Sequence, residues 1–492
     1  TFHIHTASAG SVSPNAAADE LTLENSGATG MTMLAGTSST CTIAMGDSGS
    51  NYMGVIIYDN SSDALKFKAA NIQVLYMDVN SKISLSNNDS NTGNTVFGYS
   101  AFNTSSDNAS DSNVAIGHLA MGTGSVAGAT ENVAIGYGSF DTCTSGDNNV
   151  FIGSSAGGNS TDIIGATAVG RDALNGSTTT GANYTTAIGF GALTALTSGA
   201  GNTAVGYQAG AAITTGALNT AVGYQALSQN QNVGNFNTAV GYRCLYSVNP
   251  AADDEGFNTA MGTAAGFELT TGEKNTYIGN DCGYYNETGD DNVYVGHNAG
   301  VGANNNNHSQ NTGVGANALF AATTGGGNTA VGYNALKANL GAGGNVAVGS
   351  SALAKNTSGA NNTAMGHSAL GNNVSEDANT ALGQGAMQAQ YVGSYDNTFV
   401  GFNAGGGTWA NNPSVRNTGI GRGCMSAAMD AGNDNTAVGH GALGALTDAN
   451  DNVGVGANAG DTITTGSANT CVGYGSDVAS SGAANQQVFG TG

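Results

Sequence analysis

Residues Asn219–Leu227 read NTAVGYQAL, and the fold is decided by how often that stretch returns. NTAVGYNAL occupies Asn328–Leu336, and NVAVGSSAL occupies Asn345–Leu353. Aligned on its glycine, the pattern Asn-(Thr/Val)-Ala-(Val/Ile)-Gly recurs 23 times between Gly98 and Gly490. Thirteen of the intervals are 17 residues and the rest are 18 to 21. A fixed minimum with occasional additions describes one coil per repeat, with insertions extruded at turns.

Each position in the repeat implies a role. The residue before the glycine is apolar in all 23 copies, and the residue three before it is Thr or Val in 22. Such β-branched residues at alternate positions favour a strand. The residue three after the glycine is Ala, Ser or Cys in every copy that reaches so far, and the next is usually Leu, Met, Phe or Gly. This predicts two short strands per coil, hinged near the glycine. On that reading the Val before each glycine is buried, worth about 1.5–3 kcal/mol per coil. Ala204, Ala221 and Ala239 then lie on an outer face apolar enough to need covering. Asn stands four before the glycine in 20 of 23 copies, including Asn202, Asn219, Asn237, Asn258 and Asn275. Stacked amides can bond from coil to coil, and Asn suits turns, so this column is read as a structural ladder.

The expected fold class is therefore all-β: a parallel β-solenoid, or β-roll, of about 23 coils over residues 91–492. At strand spacing its stack is roughly 110 Å long. Residues 1–18 read as an irregular N-terminal segment. Residues 19–90 hold short alternating runs, among them Cys41–Met45, Gly54–Asp59, Leu65–Ala69, Val74–Asp78 and Ile83–Leu85, and read as a β-rich head or adaptor section. The chain starts at Thr1, so a leading segment is expected to have been removed or left out.

Composition excludes several function classes. Gly numbers 79 and Pro 3, and charged residues make up 9%. Lys and Arg total 10 against a net charge of −23, so the basic stripe a nucleic-acid binder needs is missing. The same deficit argues against anionic membrane surfaces, and every apolar run stops well short of about 18 residues. No membrane insertion is expected.

The three stretches quoted above resemble the head repeat of trimeric autotransporter adhesins and the repeat-rich tail fibres of bacteriophages. The stretches ADELTLENSGATGMTMLAG (Ala18–Gly36) and MGDSGSNYMGVIIYDNSSDALKF (Met45–Phe67) also look like phage tail-fibre sequence. The resemblance spans about 400 residues of the 492. It implies a homotrimeric structural fibre, extracellular as a virion appendage or on a cell surface, that attaches to a host receptor or glycan. The basic coil of 17 residues is longer than that of adhesin heads, so the cross-section of the roll is expected to differ from theirs. The alternative is a self-assembling extracellular filament built by head-to-tail stacking of subunits. The chain stops within a rung at Gln487–Gly492, and in either case something is expected to cover that edge.

Candidate chemistry is sparse. His118, His297, His367 and His440 follow the repeat glycine, in the column that also holds Tyr99, Tyr137, Phe190, Tyr207, Tyr224, Tyr242, Tyr333, Phe402 and Tyr474. An aromatic stripe, buried between subunits or half-exposed, is the plain reading; Tyr207, Tyr224 and Tyr242 are the candidates for stacking on a glycan. Trp409, the only Trp, shares an insertion with Pro413 and Arg416. Trp and Arg on a protruding loop are hot-spot types, against the simpler reading that the Trp folds onto the rod. His3 and His5 point to one side of a strand and, in a trimer, could surround an axial metal. Asp253, Asp254 and Glu255 are the only grouped acids worth weighing for glycoside hydrolysis, and adjacent acids in an insertion are usually a solvated turn. Gly454–Ala459 fits GxGxxA without the strand–helix context that motif needs. Of the six Cys, Cys244, Cys282 and Cys424 replace the small inward Ala and Cys471 sits in a strand, so they read as buried small hydrophobes. No enzyme activity and no cofactor are expected.

Overall fold

The computed structural model describes residues 33–47, 50–69, 72–77, 83–84, 93–102, 109–177, 180–229, 234–249, 256–303, 307–389, 393–409 and 412–490. Among the described residues it is all-β apart from one 3-10 turn, Thr180–Ala182, and the chain divides into two compact units, Thr1–Phe97 and Gly98–Gly492. Among the described residues no helix is long and apolar enough to cross a membrane.

The first unit holds a five-stranded antiparallel meander: β1 (Thr40–Asp47), β2 (Ser50–Asp59), β3 (Ala64–Ala69), β4 (Ile72–Met77) and β5 (Ile83–Ser84). The β2–β3 turn is fixed locally. Asp59 accepts from the Ser61 backbone and hydroxyl and from Lys66 Nζ at 2.8 Å. The expected runs at 41–45, 54–59 and 65–69 fall on β1 to β3, and that from residue 74 falls on β4 as far as Met77, the last described residue there.

The second unit is a parallel β-solenoid. Twenty-two strands of three residues, from Val114–Ile116 to Gln487–Phe489, pair in register, each strand between those two ends with the strand before and the strand after. Thr203 stands over Thr220 and Thr220 over Thr238; Ala204 stands over Ala221 and Ala221 over Ala239. The strand ends at the repeat glycine for two reasons. Its φ is positive, +136° at Gly206 and +133° at Gly223. A Cβ on Gly223 would also lie 2.3 Å from the carbonyl oxygen of Gly241, one coil on.

Two expectations are corrected here. Each coil contains one strand, not two. After the glycine the chain runs in turns, with left-handed residues at alternate places: φ is 53° at Gln225 and 49° at Leu227. Their backbone N–H groups still bond between coils, Gln225 to the Tyr207 carbonyl at 2.9 Å and Leu227 to that of Cys244 at 3.1 Å. The period-two pattern and inter-coil bonding of a strand are thus present without its backbone angles.

The facing of the strand is also the reverse of that expected. Ala204, Ala221 and Ala239 are buried, while Val205, Val222 and Val240 are half-exposed and Val331, Val438 and Val455 are 36–37% exposed. Alternation fixes which residues share a face but not which face is inside. The coil interior is narrow. It closes on Ala from the strand, on Ala209 or Ala226 three after the glycine, and on Leu193, Leu227 or Leu336 four after it.

Where a coil puts an aromatic inside, its neighbours give way. Phe151, Tyr277, Tyr294 and Phe399 take the Ala place in their strands and are fully buried. Four after the glycine, those same coils carry Gly157, Gly283, Gly300 and Gly405 instead of Leu. A Cβ on Gly300 would come within 2.4 Å of the Tyr294 ring. The next strand also makes room, since a Cβ on Gly313 or Gly419 would strike Tyr294 at 2.9 Å or Phe399 at 2.5 Å. The core thus interlocks across three places in two coils.

Candidate functional site

The interior Asn column is buried from end to end. Each Oδ1 accepts the backbone N–H at the same place in the next coil: Asn219 N to Asn202, 2.9 Å; Asn237 N to Asn219, 2.8 Å; Asn258 N to Asn237, 3.1 Å; Asn275 N to Asn258, 3.0 Å. The amide nitrogen reaches a carbonyl further round the coil, as Asn202 Nδ2 does to Gly216 O at 2.8 Å. Where the column is interrupted, the Ala166 backbone still donates to Asn149 Oδ1 at 2.8 Å. The column satisfies backbone groups at a buried corner, which is structural work.

On the outside, the residue after each glycine stands clear of the surface. Phe190, Tyr207, Tyr224 and Tyr242 are 42–46% exposed. They form one continuous stack, with centroids 5.5, 5.0 and 5.4 Å apart and planes within 15°. Arg171, in the same column, lies over Phe190 at 5.6 Å and pairs with Asp172. Both faces of Tyr207 and Tyr224 are therefore taken by neighbouring rings. A sugar cannot stack on either face, which corrects the expected role of those two residues; what they offer solvent is their hydroxyl edges. Tyr242 is the last ring of the stack, because Thr263 holds the equivalent place in the next coil.

A second stack begins in the coil of Tyr242, five residues after its glycine. Tyr246, Phe267 and Tyr284 are spaced 4.9 and 4.9 Å. A polar row accompanies the two stacks: Gln225 Nε2 donates to Gln208 Oε1 at 2.9 Å, and Arg243 Nε donates to Gln225 Oε1 at 2.9 Å. The Arg243 guanidinium carbon lies 5.3 Å from the Tyr242 centroid and 5.3 Å from that of Tyr246. Sequence reasoning missed Arg243, Tyr246, Phe267 and Tyr284. The signal was there: reading the column five after the glycine shows aromatics in three successive coils.

Trp409 does not protrude. It is 4% exposed, packs edge-on against Phe399 at 5.9 Å and donates through Nε1 to the Gly405 carbonyl at 3.1 Å. The Gly405 that makes room for Phe399 also leaves a carbonyl for the indole. Arg416 is half-exposed and committed to Asp434, with Nε–Oδ1 2.7 Å and Nη2–Oδ2 2.6 Å. The two are not brought together as a recognition pair. His3, His5 and the acids Asp253, Asp254 and Glu255 lie outside the described residues. His118 lies edge-on between Tyr99 and Tyr137, at 5.2 and 5.3 Å. Among the described residues no three His, Cys, Asp or Glu are grouped so as to hold a metal ion.

Inside the stack, Cys143, Cys244, Cys282, Cys424 and Cys471 are buried and unpaired, and burial pushes the first four thiols up to about 12. One interior polar group was not foreseen. Tyr277 OH accepts from Asn286 Nδ2 at 2.8 Å, and Tyr294 OH lies 2.8 Å from Nδ1 of His308, which is fully buried. Burial lowers the His308 pKa to about 4.

Compared with known protein families, curated proteins and solved structures, the chain matches none.

Proposed function

We propose that this chain is the shaft of an extracellular attachment fibre, of the tail-fibre or adhesin type, whose role is structural rather than catalytic. The observation that carries the reading is the unbroken register of twenty-two coils, each bonded only to its neighbours. Such a stack extends in one dimension and is stiffened by every added coil. The outward column of Val205, Val222, Val240, Met261 and Ile278 supports side-by-side association of copies. Met261 is 49% and Ile278 38% exposed, and an apolar strip continued over many coils is a surface that gains from being covered. A parallel homotrimer buries three such strips against one another and, in a virion appendage or surface adhesin, presents the remaining faces to a host receptor or glycan.

Electron microscopy of the native material, with light scattering of the purified chain, tests this. Rods of one fixed length with trimer mass are expected. Filaments of indefinite length with an axial repeat near one subunit would replace it with the head-to-tail structural filament. A stable monomer would remove the association.

A further inference from the structure

We infer that Tyr242, Arg243 and Tyr246 form a subsite for a saccharide bearing a carboxylate; the inference rests on the attachment reading above for its purpose. Arg243 is one of only 10 basic Lys and Arg side chains in a chain of net charge −23. Lys66, Arg171, Lys274 and Arg416 each pair with a carboxylate. Arg243, like Lys68, Lys337, Lys355 and Arg422, makes no ion pair among the described residues. It is held in another way: Gln225 fixes Nε, Gln208 fixes Gln225, and the two tyrosine rings flank the guanidinium at 5.3 Å each. With Nε engaged, the Nη groups remain for a ligand. A guanidinium fork presents parallel N–H donors that match a carboxylate bidentately. Holding the fork in advance lowers the ordering cost of binding.

The surroundings select the rest of the ligand. Tyr242 ends its stack above Thr263; with Tyr224 stacked on its ring and the guanidinium over it, and Tyr246 likewise held between Phe267 and the guanidinium, the two rings offer a sugar their hydroxyl edges. Above it, the hydroxyl edges of Tyr207, Tyr224 and Tyr242, not their stacked faces, form a row of hydrogen-bonding groups whose rings repeat every 5.0 and 5.4 Å, close to the length of one pyranose unit. An extended peptide places same-side groups about 6.6 Å apart and fits that row less well. The overall negative charge repels a polyanion at long range, which favours an isolated carboxylate on a neutral scaffold. The simpler alternative is that Arg243 only staples the two aromatic stacks together through cation–π contact. Loss of a staple changes the melting temperature and leaves no preference between ligands.

The test is a ligand-observed NMR titration of the full chain with methyl glucuronide and with methyl glucoside. Glucuronide is expected to bind roughly tenfold more tightly, as one charge-assisted bidentate contact provides. Arg243→Gln should bring the two sugars level, and Arg243→Lys, which keeps charge without the fork, should retain part of the difference. Equal binding by the unaltered chain, binding of neither sugar, or a preference that survives Arg243→Gln would overturn the subsite. A short glutamate peptide that binds as tightly as the glucuronide and is lost with Arg243→Gln would overturn the saccharide assignment in favour of an acidic peptide. The attachment reading is judged separately, by adherence of the fibre to cells. An Arg243→Gln fibre that loses the glucuronide preference shown by the unaltered chain but still adheres would sustain the subsite and place the attachment surface elsewhere.

Discussion

The antiparallel sheet of the first unit and the solenoid of the second solve the problem of register differently. In the sheet, β1, β2 and β3 are six to ten residues long and joined by short turns, so partners lie close in sequence and the turn fixes the pairing. Thr40 pairs with Asp59 and Asp59 with Ala64. In the solenoid, each strand is three residues long and its partner is a full coil away. Three residues of Thr-Ala-Val look alike in every coil, so the strand alone cannot say which coil to meet. Register is held instead by what lies inside and at the corner: the Asn column, the glycine contact and the interlocked aromatics. Local pairing tolerates change within a strand; long-range pairing among near-identical units depends on a few exact fits.

The largest effect that sharpens this contrast concerns two glycines. Gly223→Ala places a methyl 2.3 Å from the Gly241 carbonyl at a φ of +133°. It should destabilise the solenoid by about 3 kcal/mol or more. Gly54, in β2, has only ordinary contact with Met45 at 3.6 Å. Gly54→Ala should stay within about 0.5 kcal/mol of neutral. Denaturant titrations reading each unit by hydrogen exchange measure both, and equal costs would break the comparison.

The next effect isolates the interlocking. Leu is accepted at the equivalent left-handed place in other coils, with φ 49° at Leu227 and Leu336 against 59° at Gly300. Gly300→Leu therefore meets one obstacle, the Tyr294 ring, and should cost about 1–3 kcal/mol. Adding Tyr294→Ala should return most of that, giving a coupling of about 2 kcal/mol in a double-mutant cycle. Additive losses would show that the two coils do not select each other.

The smallest effect is one of pH. His308 carries a folded pKa of about 4 against an ordinary 6.5. Between those values the unfolded chain takes up the proton first, so the stability of the solenoid rises with pH across that window and is complete above it. A loss of about 1 kcal/mol on acidification from pH 7.5 to 5.5 is expected, absent in His308→Gln. In the sheet, hydrogen bonds from Lys66 and Ser61 hold Asp59 below its ordinary 3.8, so its contribution is lost only under more acid conditions. Urea melts at pH 7.5, 5.5 and 4.5 should therefore soften the solenoid before the sheet.

How legible all this was depends on whether a feature repeats. Gly206, Asn202 and Ala209 recur in phase, and their columns declare a coil. The inward face was misread because Thr-Ala-Val is symmetric under exchange of inside and outside; only the narrow lumen breaks the tie. The second strand was misread because the stretch from Tyr224 to Leu227 keeps a strand-like alternation, although Gln225 and Leu227 sit at left-handed backbone angles. The pairing of Tyr294 with Gly300 and Gly313 was hidden because it departs from the columns in two adjacent coils at once. Trp409 looked like a loop anchor because the insertion around it is long, whereas its burial follows from Phe399 and Gly405, which lie outside that insertion. Arg243 was passed over because its partners, Gln225 and Tyr246, come from different columns.

The Asn column also has a sense of direction. Every Oδ1 in it accepts from the following coil, so the side-chain carbonyl dipoles all point the same way along the stack. In a parallel sheet the backbone dipoles alternate and largely cancel, whereas these add. The C-terminal end of the stack is thereby the electronegative pole and the N-terminal end the electropositive one. Copies lying side by side with their chains parallel sum their poles, so an electric field should turn such an assembly end for end, and transient birefringence would record a permanent rather than an induced moment.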